Sequence, residues 1–150
     1  MINGKLIKNI YGISDDFLPN DDYDEWYKVM LNKRIIDLNS KDVYRMIRQE
    51  ILVELAIEVI CIMLCDNIMV GEMYEGQFLE LLSELSAEQL GANYKMVCST
   101  FETVEKKFND YQFESEDSKV EYKETLERLH SIVKIIEPCS SSGNKGRQSR

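Results

Sequence analysis

The sequence has few of the residues that interrupt helices. Its 150 residues include only two prolines and seven glycines, and its β-branched residues do not alternate with polar ones as they do in half-buried strands. Strands are therefore not predicted. Apolar residues recur instead at helical spacing, which predicts an all-α fold.

Long apolar runs are also missing. The most apolar stretch has no uncharged run longer than Val59–Cys65, whereas a membrane-spanning helix needs roughly 20 residues. The first residues show no apolar run followed by a small-residue cleavage site. Two of the four cysteines lie in the most apolar stretch, which suits a reducing compartment. We therefore expect a cytoplasmic protein with no membrane partner.

Motifs for catalysis or cofactor binding are absent as well. Neither G-x-x-x-x-G-K-[ST] nor G-x-G-x-x-G occurs, so no phosphate-binding loop is predicted. The single histidine, His130, lies beside an apolar stripe and is interpreted as a packed boundary residue. Cys61 and Cys65 lack a second ligand pair and are interpreted as small apolar side chains. We expect no enzyme activity, cofactor or metal; a metal-dependent enzyme built on both cysteines with Glu54 and Glu58 is an alternative.

Negative charge dominates the composition. The chain has 27 acidic and 18 basic residues, a net charge of -9, and three of the bases lie in the last eleven residues. Without those eleven residues the net charge is -12. Such a body repels nucleic acid and attracts basic proteins. We therefore expect a protein partner and no nucleic-acid partner.

Apolar spacing predicts a compact single-domain bundle of about five to seven helices over residues 1–139. A central helix of about residues 50–65 is predicted to be buried, because it is apolar on nearly all sides. Residues 140–150 are rich in Ser, Gly and basic residues and are predicted to be a disordered basic tail. The predicted helices are residues 3–11, 22–33, 41–65 with a bend near 49–52, 77–85, 93–110 and 118–137, with a turn at 86–91.

Sequence signals also predict where helices begin and end. Asn39 or Ser40, Ser86 and Ser118 are predicted to cap the helices that follow them. Pro138 is predicted to end the last helix, because proline lacks the N–H that the helix needs.

Three segments are candidate contact surfaces. Residues 15–25 carry six carboxylates between aromatic and apolar side chains, so they form either a solvated loop or a pad that docks a basic protein. Residues 70–76, VGEMYEG, form either a contact loop or a tight turn between helices. A second acidic patch, partly neutralised by Lys119 and Lys123, has the same two interpretations; it consists of Glu114, Glu116, Asp117 and Glu121.

Two strings flank the central apolar helix, KRIIDLNSKDVYRMIRQEI and DNIMVGEMYEGQFLELL. Their order and spacing over about residues 33–85 resemble the immunity proteins of bacterial contact-dependent growth inhibition. Ile68 stands where the family pattern has proline, and Gln77 stands where it has an acidic residue. The matching positions are Asp37, Leu38, Asp42, Val43, Arg48, Gln49, Asn67, Gly71, Tyr74, Gly76, Leu79 and Leu82.

The resemblance implies a cytoplasmic protein that binds and neutralises the C-terminal toxin domain delivered by a neighbouring cell. Such toxins are commonly nucleases, so the partner is expected to be basic and to be bound one to one. Non-catalytic occlusion of its active or substrate-binding surface would block it. The predicted toxin-binding residues are Asp21, Asp22, Asp24, Glu25, Trp26, Glu72, Tyr74 and Glu75.

A helical adaptor or regulatory subunit that binds another intracellular protein is the alternative from a different class. It rests on a narrow apolar stripe from Tyr122 to Ile136, which approximates a coiled-coil seam. An intramolecular core contact would explain the same stripe.

Overall fold

The computed structural model describes residues 4–13 and 22–145, with the backbone alone described for residues 22–24 and 137–145. Regular structure in these ranges is helical, apart from an isolated bridge between Leu6 and Arg34. The all-α prediction is confirmed. A short 3-10 helix spans Ile35–Asp37, and the α-helices are α1 (Ile7–Tyr11), α2 (Asp22–Leu31), α3 (Ser40–Arg48), α4 (Val53–Asp66), α5 (Gln77–Ser83), α6 (Ala87–Gly91), α7 (Tyr94–Asp110) and α8 (Glu116–Lys145).

The helix predicted over residues 41–65 is divided into α3 and α4. Between them, Glu50 and Leu52 have φ angles of 56° and 46°, in the left-handed region that residues with a Cβ rarely adopt. The predicted bend is therefore a break. Together with α6, which was predicted as a turn, this break gives the described residues eight α-helices, where about five to seven were predicted.

The last helix extends beyond its predicted bounds at both ends. The Ser115 hydroxyl accepts the Ser118 N–H at 3.1 Å, so Ser115 rather than Ser118 caps α8 and the prediction of Ser118 is wrong. The prediction that Pro138 ends the helix is also wrong, because the backbone stays helical to Lys145. Proline removes one backbone N–H and therefore one helical hydrogen bond, but a helix can continue, with a kink, past such a position. Residues 146–150 of the predicted tail lie outside the described residues.

Contacts group the chain into two units, residues 1–43 and 44–150. In the first unit, α1 packs against α2, and the Ile7 N–H donates to the Lys33 carbonyl at 2.8 Å. The buried apolar side chains of this unit are Ile7, Met30, Leu31, Leu38 and Val43. A single domain over residues 1–139 stays a prediction.

In the second unit, α4 and α8 each pack against α5, α6 and α7. α4 buries seven of its fourteen residues, and Ser86 caps α6 in a reciprocal capping box with Gln89, as predicted. The apolar stripe of α8 is buried by this packing, so the feature that suggested an adaptor is used inside the unit. The stripe consists of Tyr122, Leu126, Leu129, Val133 and Ile136.

The exposed edge of α4 includes an apolar side chain. Ile62 lies in the helix that was predicted to be buried but is 55% exposed, and it lies four residues from both Glu58 and Asp66 along one edge of the helix. Cys61 is buried, which agrees with its interpretation as a small apolar side chain.

Candidate functional site

A buried carboxylate, that of Asp42, accepts hydrogen bonds from three other residues of the first unit. Lys33 Nζ donates to its Oδ2 at 2.6 Å and Trp26 Nε1 donates to its Oδ1 at 3.2 Å. The Asn39 N–H also donates to Oδ2 at 3.2 Å, while Asn39 Oδ1 accepts the Asp42 N–H at 2.9 Å. Asn39 and Asp42 thus form a reciprocal cap for α3, and the prediction of Asn39 as its cap is confirmed.

This network shows how one predicted contact residue is held. Trp26 is half-buried, and its indole N–H is directed to Asp42. Glu25, beside it in α2, is exposed. Asp22 and Asp24 lie in α2, but their side chains are outside the described residues, as is Asp21 entirely. The acidic pad therefore stays a prediction.

Asp37, the other aspartate in the first matching string, makes a local and exposed ion pair. Arg34 Nε donates to Asp37 Oδ2 at 2.8 Å, and a second guanidinium nitrogen donates to Oδ1 at 3.2 Å. The hydrogen bond from Arg34 lowers the pKa of the Asp37 carboxyl. The pair joins Arg34, which precedes the 3-10 helix, to Asp37, its last residue. Asp37 therefore stabilises the turn in which it lies.

In the second unit, residues 67–76 form a tightly folded loop between α4 and α5. The Gly76 N–H donates to the Met69 carbonyl at 2.8 Å, and the buried Tyr122 hydroxyl donates to the Ile68 carbonyl at 2.7 Å. A Cβ built on Gly71 would overlap the Tyr74 carbonyl oxygen. Gly76 has a φ of 86°, which favours glycine. Residues 70–76 therefore form a tight turn, and their role as a contact loop stays a prediction.

Gln77 supports this loop from inside. Its side chain is at the start of α5 and the residue is only 5% exposed. Its Oε1 accepts the N–H groups of both Glu72 and Met73, each at 2.8 Å. Met73 and Tyr74 form the tip of the loop. Their side chains point outward and are 66% and 54% exposed.

An open groove of about 450 Å³ lies between this loop and α8. We call it the acidic groove, because four carboxylates and a single guanidinium group are among its lining side chains. The loop provides Met69, Tyr74, Glu75 and Gly76, α5 provides Glu80, and α8 provides Ser118, Glu121, Tyr122, Glu124, Thr125 and Arg128.

Hydrogen bonds fix several groups of the groove. The Tyr74 hydroxyl donates to the Glu80 carboxylate, which raises the pKa of Tyr74 to about 12. Burial raises the pKa of Tyr122, at the groove's inner wall. Arg128 Nε donates to the Ser83 hydroxyl at 3.3 Å. Both tyrosines are therefore neutral at physiological pH, and the groove's formal charge is set by its carboxylates and Arg128.

Some of the predicted contact residues lie at the acidic groove, and others lie elsewhere. Tyr74 and Glu75 line the acidic groove, whereas Glu72 is half-buried and is not among its lining residues. From the second predicted acidic patch, Glu121 also lines the groove. Glu114 and Glu116 instead line a separate cleft of about 570 Å³ at the α7–α8 loop, together with Tyr111, Phe113 and Lys119.

Sequence reasoning missed three of the charged groove residues, Glu80, Glu124 and Arg128. A signal was present in α8, where Glu121, Glu124 and Arg128 are three and four residues apart and so share one helix face. Nothing in the sequence indicated that this face lies beside the loop. That information comes from packing through Tyr122.

Two of the residues considered for catalysis, His130 and Cys61, are packed against other residues of the second unit. The His130 ring stacks on Phe101, with ring centroids 4.9 Å apart, and burial raises the pKa of the Cys61 thiol to about 11. Among the residues that the structure describes, no group of three or more His, Cys, Asp or Glu side chains could hold a metal ion. Within the same residues, no helix has both the length and the apolar character needed to cross a bilayer.

A sequence model of the CDI immunity proteins matches residues 18–99, more than half of the chain. Among curated protein sequences, none matches. The matched range includes the Asp42 network and the 67–76 loop and ends before α8, so one wall of the acidic groove lies inside it and the other outside. By this match, the chain belongs to the family of CDI immunity proteins.

Proposed function

We propose that this chain is a cytoplasmic immunity protein that binds the C-terminal domain of its cognate toxin one to one. Neutralisation is by occlusion and requires no catalysis by the chain. The observation that carries the proposal is the acidic groove, which lies beside an exposed loop in a chain of this family.

Charge indicates the class of partner. The groove's carboxylates belong to Glu75, Glu80, Glu121 and Glu124, and Arg128 is the one cation among its lining residues. This surplus of negative charge attracts basic surfaces and raises the rate of encounter. A nuclease active site is basic because it binds phosphates, so we propose a nuclease domain whose substrate-binding surface faces the groove.

The exposed tip of the loop supplies the apolar part of the contact. Specific interfaces bury about 800 Å² on each partner, and aromatic residues commonly dominate their energy. Met73 and Tyr74 are both more than half exposed, and Tyr74 lines the groove. In the proposed complex the carboxylates speed association and these two side chains slow dissociation.

The acidic pad of the first unit is a second proposed contact, which includes Asp21, Asp22, Asp24 and Glu25. The Trp26 bond to Asp42 supports it, because this bond fixes α2, the helix in which the last three of these acids lie. Replacing Asp21, Asp22 and Asp24 with Asn should slow toxin association at low salt. An unchanged association rate would remove the pad from the interface.

Growth protection tests the function as a whole. The toxin domain encoded beside this gene is expressed in a sensitive bacterium, with and without this chain. Rescue of growth, with a stable one-to-one complex on purification, is the expected result. Continued killing despite folded, abundant immunity protein would refute the proposed pairing.

A further inference from the structure

We propose that Gln77 is the positioning residue of the 67–76 loop, which is the loop proposed to contact the toxin. Its buried side-chain oxygen holds the loop tip, Met73 and Tyr74, in the conformation that the toxin meets. The inference deepens the proposed function and rests on it for the part that concerns the toxin. Its structural part can be tested on the free chain.

The geometry makes this role specific. One oxygen, Gln77 Oε1, accepts two successive backbone N–H groups, those of Glu72 and Met73, at 2.8 Å each. Because both N–H groups bind the same buried oxygen, the orientation of their two peptide units is fixed, and so is the direction in which the chain continues to Tyr74. Tyr74 follows directly, and its carbonyl accepts the Gln77 N–H at 3.3 Å. The side chain and backbone of Gln77 therefore both bind the tip.

Gly71 allows this close approach. A Cβ at position 71 would lie 2.8 Å from Gln77 Cβ and 3.1 Å from the Gln77 nitrogen, closer than ordinary van der Waals contact. The chain can fold back on Gln77 only because that atom is missing. Gly71 and Gln77 thus act as one device, in which the glycine provides the space and the glutamine provides the acceptor.

Holding the tip in place matters for binding. Ordering a flexible loop on association costs free energy that a preformed loop does not lose. Met73 and Tyr74 are exposed although the backbone beneath them is fixed. This combination of an ordered backbone and outward side chains is the one a preformed contact loop requires.

Two substitutions separate positioning from simple packing. Gln77→Leu keeps a similar volume and removes the shared acceptor. Gln77→Glu keeps an acceptor that can receive both N–H groups, and its charge is favourable at the start of α5. Gln89→Leu is the matched control, because Gln89 Oε1 also accepts a backbone N–H, that of Ser86 at 3.0 Å, and does not line the groove.

Amide hydrogen exchange of the free chain is the first readout. Gln77→Leu should accelerate exchange at Glu72 and Met73 about 30-fold, since two hydrogen bonds of ordinary strength are lost. Gln77→Glu should restore slow exchange, and Gln89→Leu should leave both amides unchanged. Equal exchange at these amides in wild type and Gln77→Leu would overturn the proposal.

Toxin binding is the second readout, measured with an inactivated form of the toxin domain encoded beside the gene. Gln77→Leu should weaken binding about tenfold or more, with wild-type behaviour in Gln77→Glu and Gln89→Leu. If Gln77→Leu loosens the amides but binds normally, the tip is not the contact and the positioning role is refuted. If the wild type itself does not bind, the proposed function fails, while amide exchange still decides whether Gln77 holds the loop.

Discussion

At the scale of single residues, two aspartates of the same sequence string have different roles. Asp42 is 4% exposed and accepts hydrogen bonds from Lys33, Trp26 and Asn39. Asp37 is exposed and pairs with Arg34 across one turn. The sequence predicted a cap at the start of α3, but it could not distinguish a buried acceptor from an exposed one, because burial depends on how α2 approaches.

Removing these two carboxylates should therefore have unequal effects on stability. Asp42→Ala should lower the free energy of unfolding by about 3 kcal/mol, because partly buried donors, Lys33 among them, lose a buried, charged acceptor. Asp37→Ala should have an effect near the error of the measurement, since exposed ion pairs contribute little. Urea unfolding of both variants checks this. Equal losses would contradict the network described around Asp42.

The thiol of Cys61 makes a second prediction at this scale. Burial raises its pKa to about 11, so the folded state keeps the thiol proton at pH values where an unfolded cysteine has lost it. At neutral pH the thiol is protonated in both states, so it does not lower the free energy of unfolding. That free energy falls as the pH rises above the pKa of an unfolded cysteine toward 11, because the unfolded state loses its thiol proton first.

Alkylation by iodoacetamide between pH 7 and 10 measures this difference. The thiolate is the reactive form, so Cys61 in the folded chain should react at least about 100-fold more slowly at pH 8.5 than in the urea-unfolded chain. Mass spectrometry of the Cys61 peptide reports the rate. Comparable rates in the two states would contradict its burial.

At the scale of elements, apolar spacing predicted most helices, while helix ends were predicted less well. α7 agrees with the sequence pattern because a long amphipathic stripe determines it, and α5 begins at Gln77, as predicted. The end of α3 did not follow, since Glu50 and Leu52 adopt left-handed φ angles without a glycine to signal the break. Ser115 was missed as a cap because Ser118, with Glu121 three residues later, has the capping-box pattern that Ser115 lacks.

Two glycines should respond oppositely to alanine. Gly71→Ala introduces a Cβ against the Tyr74 carbonyl and Gln77, so it should lower the free energy of unfolding by about 2–3 kcal/mol. Gly91 lies in α6 with open space around it, so Gly91→Ala should raise stability by up to about 1 kcal/mol. Chemical denaturation measures both. A neutral Gly71→Ala would show that the loop is not tightly folded.

At the scale of the whole molecule, the sequence predicted the sign of the charge but could not show where it is concentrated. Glu75 and Glu121 are 46 positions apart in the chain. They line one groove because the Tyr122 hydroxyl binds the Ile68 carbonyl and brings α8 beside the loop. Such long-range packing leaves no local pattern in a sequence. The sequence consequently placed Glu75 and Glu121 in two separate candidate surfaces.

The rate at which the inactivated toxin domain associates with charge variants tests the central claim most directly. One variant replaces the groove acids Glu75, Glu121 and Glu124 with Gln. The control makes the same change at Glu88, Glu102 and Glu105, which are exposed and do not line the groove. Both variants lose the same net charge.

We expect the groove variant to associate about tenfold more slowly at low salt, with a weaker dependence on ionic strength, because local charge steers the encounter. The control should stay within about twofold of the wild type by the same reasoning. Equal rates for the two variants would contradict the claim that the acidic groove is the toxin-binding surface.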